Sequence, residues 1–411
     1  MKIAIISSGF LPVADGVTVS LYQRVRVLSR LNHQVLILCP DYESIESVYP
    51  NWRDYQGEIL PGVRVVNLPS EPFMGVQFER NMSRRANQRI EQELEAFAPD
   101  IVHVDEPDRL FLGLLKAPGV AYAKREGIPC VGFYHTNFID YIEDFLPLPD
   151  NIIRGLQWFS MLFIRPVFHA YDQILVSSPV AEKRLRELGV TNVLCDRFLG
   201  VDIKTFQSQQ RSPDFFQTAY GIQGLEDKIK LVFLGRLTPD KGWQFALEAF
   251  ETWAQQPENA PLARKVALIV AGDGELRADI KARLQAANLR VYMLGRIAPE
   301  AVPVLLVNSD IHITASEKET LGLTVIEAFA AGLPVIAPNA GGVITHIQDG
   351  ENGFLFEPQN VDSFSRAVST LVADADMRRR LGAAGQKAIA PYDWPQVVAN
   401  LVNTWKTQLF L

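Results

Sequence analysis

The chain carries only three cysteines in 411 residues, Cys39, Cys130 and Cys195. Their spacing fits neither a C-x-x-C redox pair nor a zinc cluster, so all three are expected to be buried, reduced thiols. Positive charge is not in excess either. Forty Lys and Arg stand against 47 Asp and Glu, a net charge of -7, which argues against a nucleic-acid partner. No stretch reaches the roughly 18 to 20 uncharged apolar residues of a membrane-spanning helix. The longest candidate, Leu156 to Tyr171, is interrupted by Arg165-Pro166, so any membrane contact is expected to be peripheral. The opening Met1 to Ser7 is shorter than a signal-peptide core and reads as a strand, which points to the cytoplasm. The first turn has no G-x-G-x-x-G, which disfavours an NAD enzyme.

What is present is an ordinary globular composition, with 48% of residues hydrophobic and 21% charged, in a chain long enough for two domains. Short runs rich in Val and Ile alternate with amphipathic segments. The runs are Lys2 to Ser7, Gln34 to Pro40, Val63 to Leu68, Ile101 to Asp105, Cys130 to His135 and Gln173 to Ser177. The rhythm restarts with Lys230 to Gly235, Ala267 to Ala271, Arg290 to Leu294, Ile311 to Thr314 and Pro334 to Ala337. This is the α/β pattern of two doubly wound, Rossmann-like parallel sheets. The expected domains are residues 1–200 and 201–390, with the linker near 199–206. Residues 391–411 carry Trp394, Val397, Val398, Leu401, Val402 and Trp405 at helical spacing, an amphipathic helix expected to pack back toward the first domain. Ligands of open parallel sheets lie at the carboxyl ends of the strands, so the chemistry is sought there, facing an interdomain cleft.

The loop after the first strand leads to Gly16 at a helix start, which suits either a phosphate site or a simple turn. Gly235-Arg236-Leu237-Thr238-Pro239-Asp240-Lys241-Gly242 places two cations on one strand-end loop, an arrangement that suits a diphosphate. In Ser316 to Pro334, a loop precedes a helix expected to begin near Thr320. The amides of Leu323 and Thr324 at that helix start favour phosphate. Glu319 and Glu327 lie eight positions apart, about 2.2 turns. Glu327 sits in an otherwise apolar helix and needs a partner, either ligand hydroxyls or an internal Arg or Lys. Asp374-Ala375-Asp376 formally fits a metal-binding D-x-D but reads as solvated surface.

Taken together, Arg236 with Lys241-Gly242, Glu319-x7-Glu327 followed by Ala-Gly-x-Pro, Gly341-Gly342, and Asp349-Gly350-x-Asn352-Gly353 resemble glycosyltransferase family 4. Gly16 resembles the family's N-terminal phosphate loop, and Tyr134-His135-Thr136-Asn137-Phe138 its active-site histidine segment. The resemblance implies a GT-B fold and a retaining transfer of a hexose from a nucleotide diphosphate sugar, with no metal and no other cofactor. By the same resemblance Arg236 and Lys241 bind the diphosphate, Glu319 the hydroxyls of the transferred sugar and Glu327 those of the ribose. Gly322, Leu323 and Thr324 complete the phosphate site, Gly16 approaches the donor phosphate, and His135 contacts the donor sugar. Thr320-Leu321 replaces an aromatic that many members carry after the first glutamate, which leaves donor-sugar specificity open. The N-terminal half looks most like glycolipid-forming members of cyanobacteria and chloroplasts. That implies UDP-galactose as donor, monogalactosyldiacylglycerol as acceptor and digalactosyldiacylglycerol as product.

For the acceptor side, Phe73 and Phe78 precede Arg80, Arg84, Arg85 and Arg89, four arginines expected to share a helical stripe suited to an anionic membrane surface. Phe138, Tyr141 and Trp158 lie in two apolar segments that suit either an acyl groove or core helices. The rival readings are the same fold with a soluble or polysaccharide acceptor, a GT-B nucleotide-sugar epimerase, and a sugar-binding protein without chemistry.

Overall fold

The computed structural model describes residues 1–13, 15–73, 76–135 and 149–409. The chain divides into two units, Met1–Gly200 with Trp394–Leu411, and Val201–Asp393.

The first unit contains β1 (Lys2–Ile6), β2 (Gln34–Pro40), β3 (Gly57–Leu60), β4 (Val63–Leu68), β5 (Ser70–Phe73), β6 (Val76–Met82), β7 (Ile101–Asp105), β8 (Cys130–Phe133), β9 (Gln173–Val176) and β10 (Val193–Cys195). Its main sheet runs β10-β9-β8-β7-β1-β2-β4-β3. Central strands of such a sheet are covered on both faces and need unbroken apolar runs, and Ile3 to Ile6 and Val35 to Cys39 are accordingly buried throughout. Two features depart from the all-parallel expectation. The edge strand β3 runs antiparallel to β4, and β5 with β6 forms a separate antiparallel hairpin. Neither shows the Val/Ile run by which parallel strands are recognised: β3 is a sheet edge with Gly57 and Glu58 exposed, and β5 exposes Glu71 and Pro72. Cys39 and Cys130 are buried, whereas Cys195 near the sheet edge is only partly so.

The second unit contains β11 (Ile229–Leu234), β12 (Val266–Ala271), β13 (Val291–Gly295), β14 (Ile311–Ile313), β15 (Val335–Pro338) and β16 (Gly353–Phe356). These form a fully parallel sheet in the order β13-β12-β11-β14-β15-β16. Trp243, Phe245, Phe250 and Trp253 of the helix Trp243–Gln255 are buried in its core.

In each sheet the winding reverses once, between β1 and β7 in the first unit and between β11 and β14 in the second. Helices that leave such a pair on opposite faces open a crevice at the carboxyl ends of the two strands, where ligands bind in doubly wound sheets. Ser8 and Glu106 follow the first pair, Arg236 and the loop to Glu319 the second. The helix Trp394–Leu409 belongs to the first unit and buries Trp394, Val397, Val398, Leu401, Val402 and Trp405 there, next to the helix Gly16–Arg30. Burial of each such side chain contributes about 1.5 to 3 kcal/mol, so the last helix is a structural member of that unit.

Candidate active site

The second unit's reversal point gathers the expected donor residues. Arg236 follows β11, and its Nη2 donates to Asp240 Oδ2 at 3.1 Å. Thr238 Oγ1 donates to Asp240 Oδ1 at 2.5 Å, and Lys241 Nζ lies 3.8 Å from Oδ2. Lys241 also donates to Glu319 Oε1 at 2.7 Å. The two cations therefore do not stand bare before a ligand, because Asp240 and Glu319 balance them. A guanidinium has five N–H donors, and Arg236, about half exposed, spends one on Asp240. The loop reaches this position through Gly242, whose φ is 70° and where a Cβ would stand 2.1 Å from the Ala315 carbonyl oxygen.

Gly322, with φ 84°, starts the helix Leu323–Ala330, and no side chain caps that start. The expected start near Thr320 is thus three residues early, since Thr320 to Gly322 form the turn before the helix. The amides of Leu323 and Thr324 point out of the helix without intrahelical partners, at its positive end. Behind them Gly342 packs so closely that a Cβ would fall 2.0 Å from the Thr320 carbonyl oxygen. The Asp349 to Gly353 motif braces this region: Asn352 Nδ2 donates to the His346 carbonyl at 2.9 Å and its Oδ1 accepts from the Gln348 amide at 2.8 Å.

Glu327 is one helical turn further on. Among the described residues it has no hydrogen-bond or ion-pair partner, so the internal salt bridge considered from sequence does not form. Desolvation pushes its carboxyl up to about 7.

In the first unit the strand ends carry a buried ionic network. Arg24 and Asp105 are 2% and 0% exposed and pair at 2.5 Å. His135 Nε2 lies 2.8 Å from Asp105 Oδ1, and His103 Nε2 lies 3.2 Å from the same oxygen and 3.0 Å from Arg24 Nη1. Burial alone would raise the Asp105 carboxyl, but Arg24 and the two histidines hold it well below the usual range. Burial and Arg24 lower His103 to about 4. Ser8 Oγ donates to Glu106, a buried residue whose φ of 55° is strained for a side chain with a Cβ.

Gly16 opens the helix Gly16–Arg30, yet the amides of Val17 and Thr18 already donate to Asp15 Oδ1 at 2.9 and 2.8 Å. The phosphate expected at Gly16 would therefore have to be met without these two amides, which the chain's own carboxylate takes.

The arginine stripe also fails to form. Arg80 lies on β6, 6% exposed, with Nε donating to Ser70 Oγ at 2.9 Å. Arg84 and Arg85 are exposed just before the helix Ala86–Phe97, and Arg89 pairs with Glu93 at 2.6 Å. Phe73 is buried beneath the Arg109 guanidinium, 4.6 Å from its ring centre. Phe138 and Tyr141 lie outside the described residues, as do the side chains of Phe78 and Trp158. The helix Asp150–His169 exposes Ile152, Leu162 and Phe163. Asp374 caps its helix by accepting from the Met377 amide, and Asp376 pairs with Arg379 at the surface, which agrees with a solvated D-x-D.

Two family profiles cover most of the chain: Glycosyltransferase Family 4 matches residues 14–195, and Glycosyl transferases group 1 matches residues 219–388. The chain is a glycosyltransferase of the GT-B type. It is 30% identical over 347 residues to a sulfoquinovosyl transferase of Arabidopsis thaliana, an alignment covering 83% of this chain and 63% of that protein. A GDP-mannose-dependent alpha-mannosyltransferase of Mycolicibacterium smegmatis is 28% identical over 100% of this chain and 98% of its own. An alpha-monoglucosyldiacylglycerol synthase of Streptococcus pneumoniae is 25% identical over 92% and 80%. The same fold occurs in the sucrose-phosphate synthase of Thermosynechococcus elongatus, with a TM-score of 0.75, 21% identity and coverage of 100% and 99%.

Several polar residues of this glycosyltransferase escaped sequence reasoning: Arg24, His103, Asp105, Glu106 and Asp240. Asp105 and Glu106 stand at the end of β7, so the rule that singled out Arg236 and His135, inspection of residues just after strands, also reaches them. Arg24 lies mid-helix, and no local signal marks it.

Proposed function

We propose that this glycosyltransferase moves a hexose, with retention of configuration, from a nucleotide diphosphate sugar to a glycolipid, with UDP-galactose as donor and monogalactosyldiacylglycerol as acceptor. The observation that carries the donor assignment is Glu327. A half-buried carboxylate with no protein partner, one turn behind two unpaired amides, fits a ligand that brings hydroxyl donors and phosphate together. Leu323 and Thr324 then hold phosphate oxygens, Arg236 and Lys241 add charge, and Glu319 turns from Lys241 to the transferred sugar. His135 contacts that sugar.

In the transfer the bond from the anomeric carbon to the phosphate oxygen breaks and negative charge grows on the diphosphate. Preorganised donors at that oxygen lower the barrier. The acceptor oxygen bonds the anomeric carbon from the same face, and its proton passes to the departing phosphate oxygen. A carboxylate nucleophile of the glycosidase kind is not assigned.

The lipid acceptor draws support from the exposed Ile152, Leu162 and Phe163, at 46%, 45% and 57%, and from the glycolipid product named for the Streptococcus relative. Such side chains suit an acyl or membrane surface. No helix among the described residues is long and apolar enough to cross a membrane. A second reading, mannosyl transfer from GDP-mannose, is favoured by the relative that matches end to end.

The test measures nucleoside diphosphate release from UDP-galactose, UDP-glucose and GDP-mannose, each with and without monogalactosyldiacylglycerol in anionic micelles. Lipid-dependent turnover of UDP-galactose is expected. Turnover of GDP-mannose alone selects the second reading, lipid independence with every donor removes the glycolipid, and donor consumption without any acceptor product indicates an epimerase.

A further inference from the structure

The ionic network beneath His135 is too buried to bind a ligand directly, and too costly to be incidental. A carboxylate with 0% exposure survives only where every strong interaction is met. Asp105 receives three groups from three elements: Arg24 from the helix Gly16–Arg30, His103 from its own strand, and His135 from the end of β8. A fourth element closes it. Trp405 of the C-terminal helix is fully buried with its ring centre 5.4 Å from that of His103.

The donor inventory of these groups decides where protons sit. Arg24 only donates, and an ionised carboxylate only accepts. His135 Nε2, 2.8 Å from Asp105 Oδ1, therefore carries its proton and donates it to that oxygen. A neutral imidazole has one donor and one acceptor nitrogen, so Nδ1 is the lone-pair nitrogen. His103 Nε2 lies between Arg24 Nη1 at 3.0 Å and Asp105 Oδ1 at 3.2 Å, and the carboxylate has lone pairs enough to serve His135 beside it.

We propose that Asp105 is a positioning residue for the transfer, fixing the His135 proton on Nε2 so that Nδ1 meets the reacting sugar as a hydrogen-bond acceptor, with Arg24 holding Asp105 in place and Trp405 packed on His103. This rests on the role given to His135 above. The geometry also says what Asp105→Asn must do. The asparagine oxygen has to face Arg24, so its amide hydrogens face His135 Nε2, which must then accept, and the proton moves to Nδ1.

The test is nitrogen NMR of the histidine-labelled full chain, with the His135 signals identified by their loss in His135→Asn, together with steady-state kinetics. Wild-type protein is expected to show Nε2 protonated and Nδ1 as the lone pair, a result that needs no variant to fold. In Asp105→Asn the tautomer is expected to reverse, with kcat falling about 10²- to 10⁴-fold and the donor KM nearly unchanged, in line with tautomer losses elsewhere. Arg24→Lys, which keeps a buried donor, is expected to retain the wild-type tautomer and lose less. A wild-type His135 protonated on Nδ1 overturns the proposal, and so does a reversed tautomer with unchanged kcat. In that last case His135→Asn tells which part failed: an inactive variant faults the positioning by Asp105, an active one the role of His135.

Discussion

The two reversal points of the molecule are built from similar parts and left in opposite states. In the first unit the amides of Val17 and Thr18 at the helix start are met by Asp15, and the buried Arg24 and Asp105 pair with each other and with the imidazoles of His103 and His135. In the second unit the helix start behind Gly322 is open and Glu327 has no protein partner. Unmet polar groups at a strand-end crevice cost free energy unless a ligand meets them. On the proposed function the second unit is the edge that meets the donor, while the first mounts one imidazole.

That contrast can be broken from either side. The largest effect is expected on stability from Trp405→Ala, which opens a void beside His103 in the self-satisfied unit. Loss of a fully buried Trp costs about 3 to 5 kcal/mol, read as a lower urea midpoint. An undiminished midpoint would show that the last helix does not complete the first unit. Next comes Lys241→Ala in the open unit. Removal of a cation near the developing diphosphate charge is expected to lower kcat/KM about 10²- to 10³-fold in a protein that still melts cooperatively. Asp15→Ala is expected to cost about 1 kcal/mol of stability and leave the donor KM almost unchanged, since its carboxylate caps the helix through the Val17 and Thr18 amides. A tenfold rise in donor KM would show that the cap also supports the donor phosphate. Smallest is the double variant Arg84→Ala and Arg85→Ala, expected to weaken sedimentation with anionic vesicles slightly at low salt and not at all at high salt.

The sequence shows the α/β class well, because strands buried on both faces must be written as Val and Ile runs, and these fall on β1, β2, β4, β7, β8, β9 and β11 to β15. It does not show β3, β5, β6, β10 or β16, since edge strands and hairpins need no such run. At the site the strand-end rule finds Arg236, Lys241, Glu319 and His135. It does not find how they are paired. Arg80 illustrates the difficulty: four arginines near helical spacing suggested one face, yet a turn after β6 puts the first on a strand, where Ser70 holds it. Arg24 illustrates the converse, a charged residue mid-helix whose partner Asp105 lies 81 positions away.

Glu327 also ties the account to pH. Folding holds Glu327 and Asp108 protonated up to about 7, above their ordinary 4.5 and 3.8. Both therefore favour the folded state most at low pH and progressively less as pH climbs to about 7. Glu327→Gln removes one of the two contributions and flattens that fall. Ligand hydroxyls donate best to the ionised carboxylate, so on the proposed function nucleotide binding is expected to expel the Glu327 proton and to tighten as pH rises through about 7. Titration calorimetry of UDP, and of GDP in parallel, from pH 6 to pH 8 on wild-type protein and Glu327→Gln is the most direct test. The expected result is proton release and rising affinity in the wild type, with weaker and nearly pH-independent binding in the variant. Equal affinity and equal pH dependence in the two proteins would contradict the assignment of the second unit's open edge to the nucleotide.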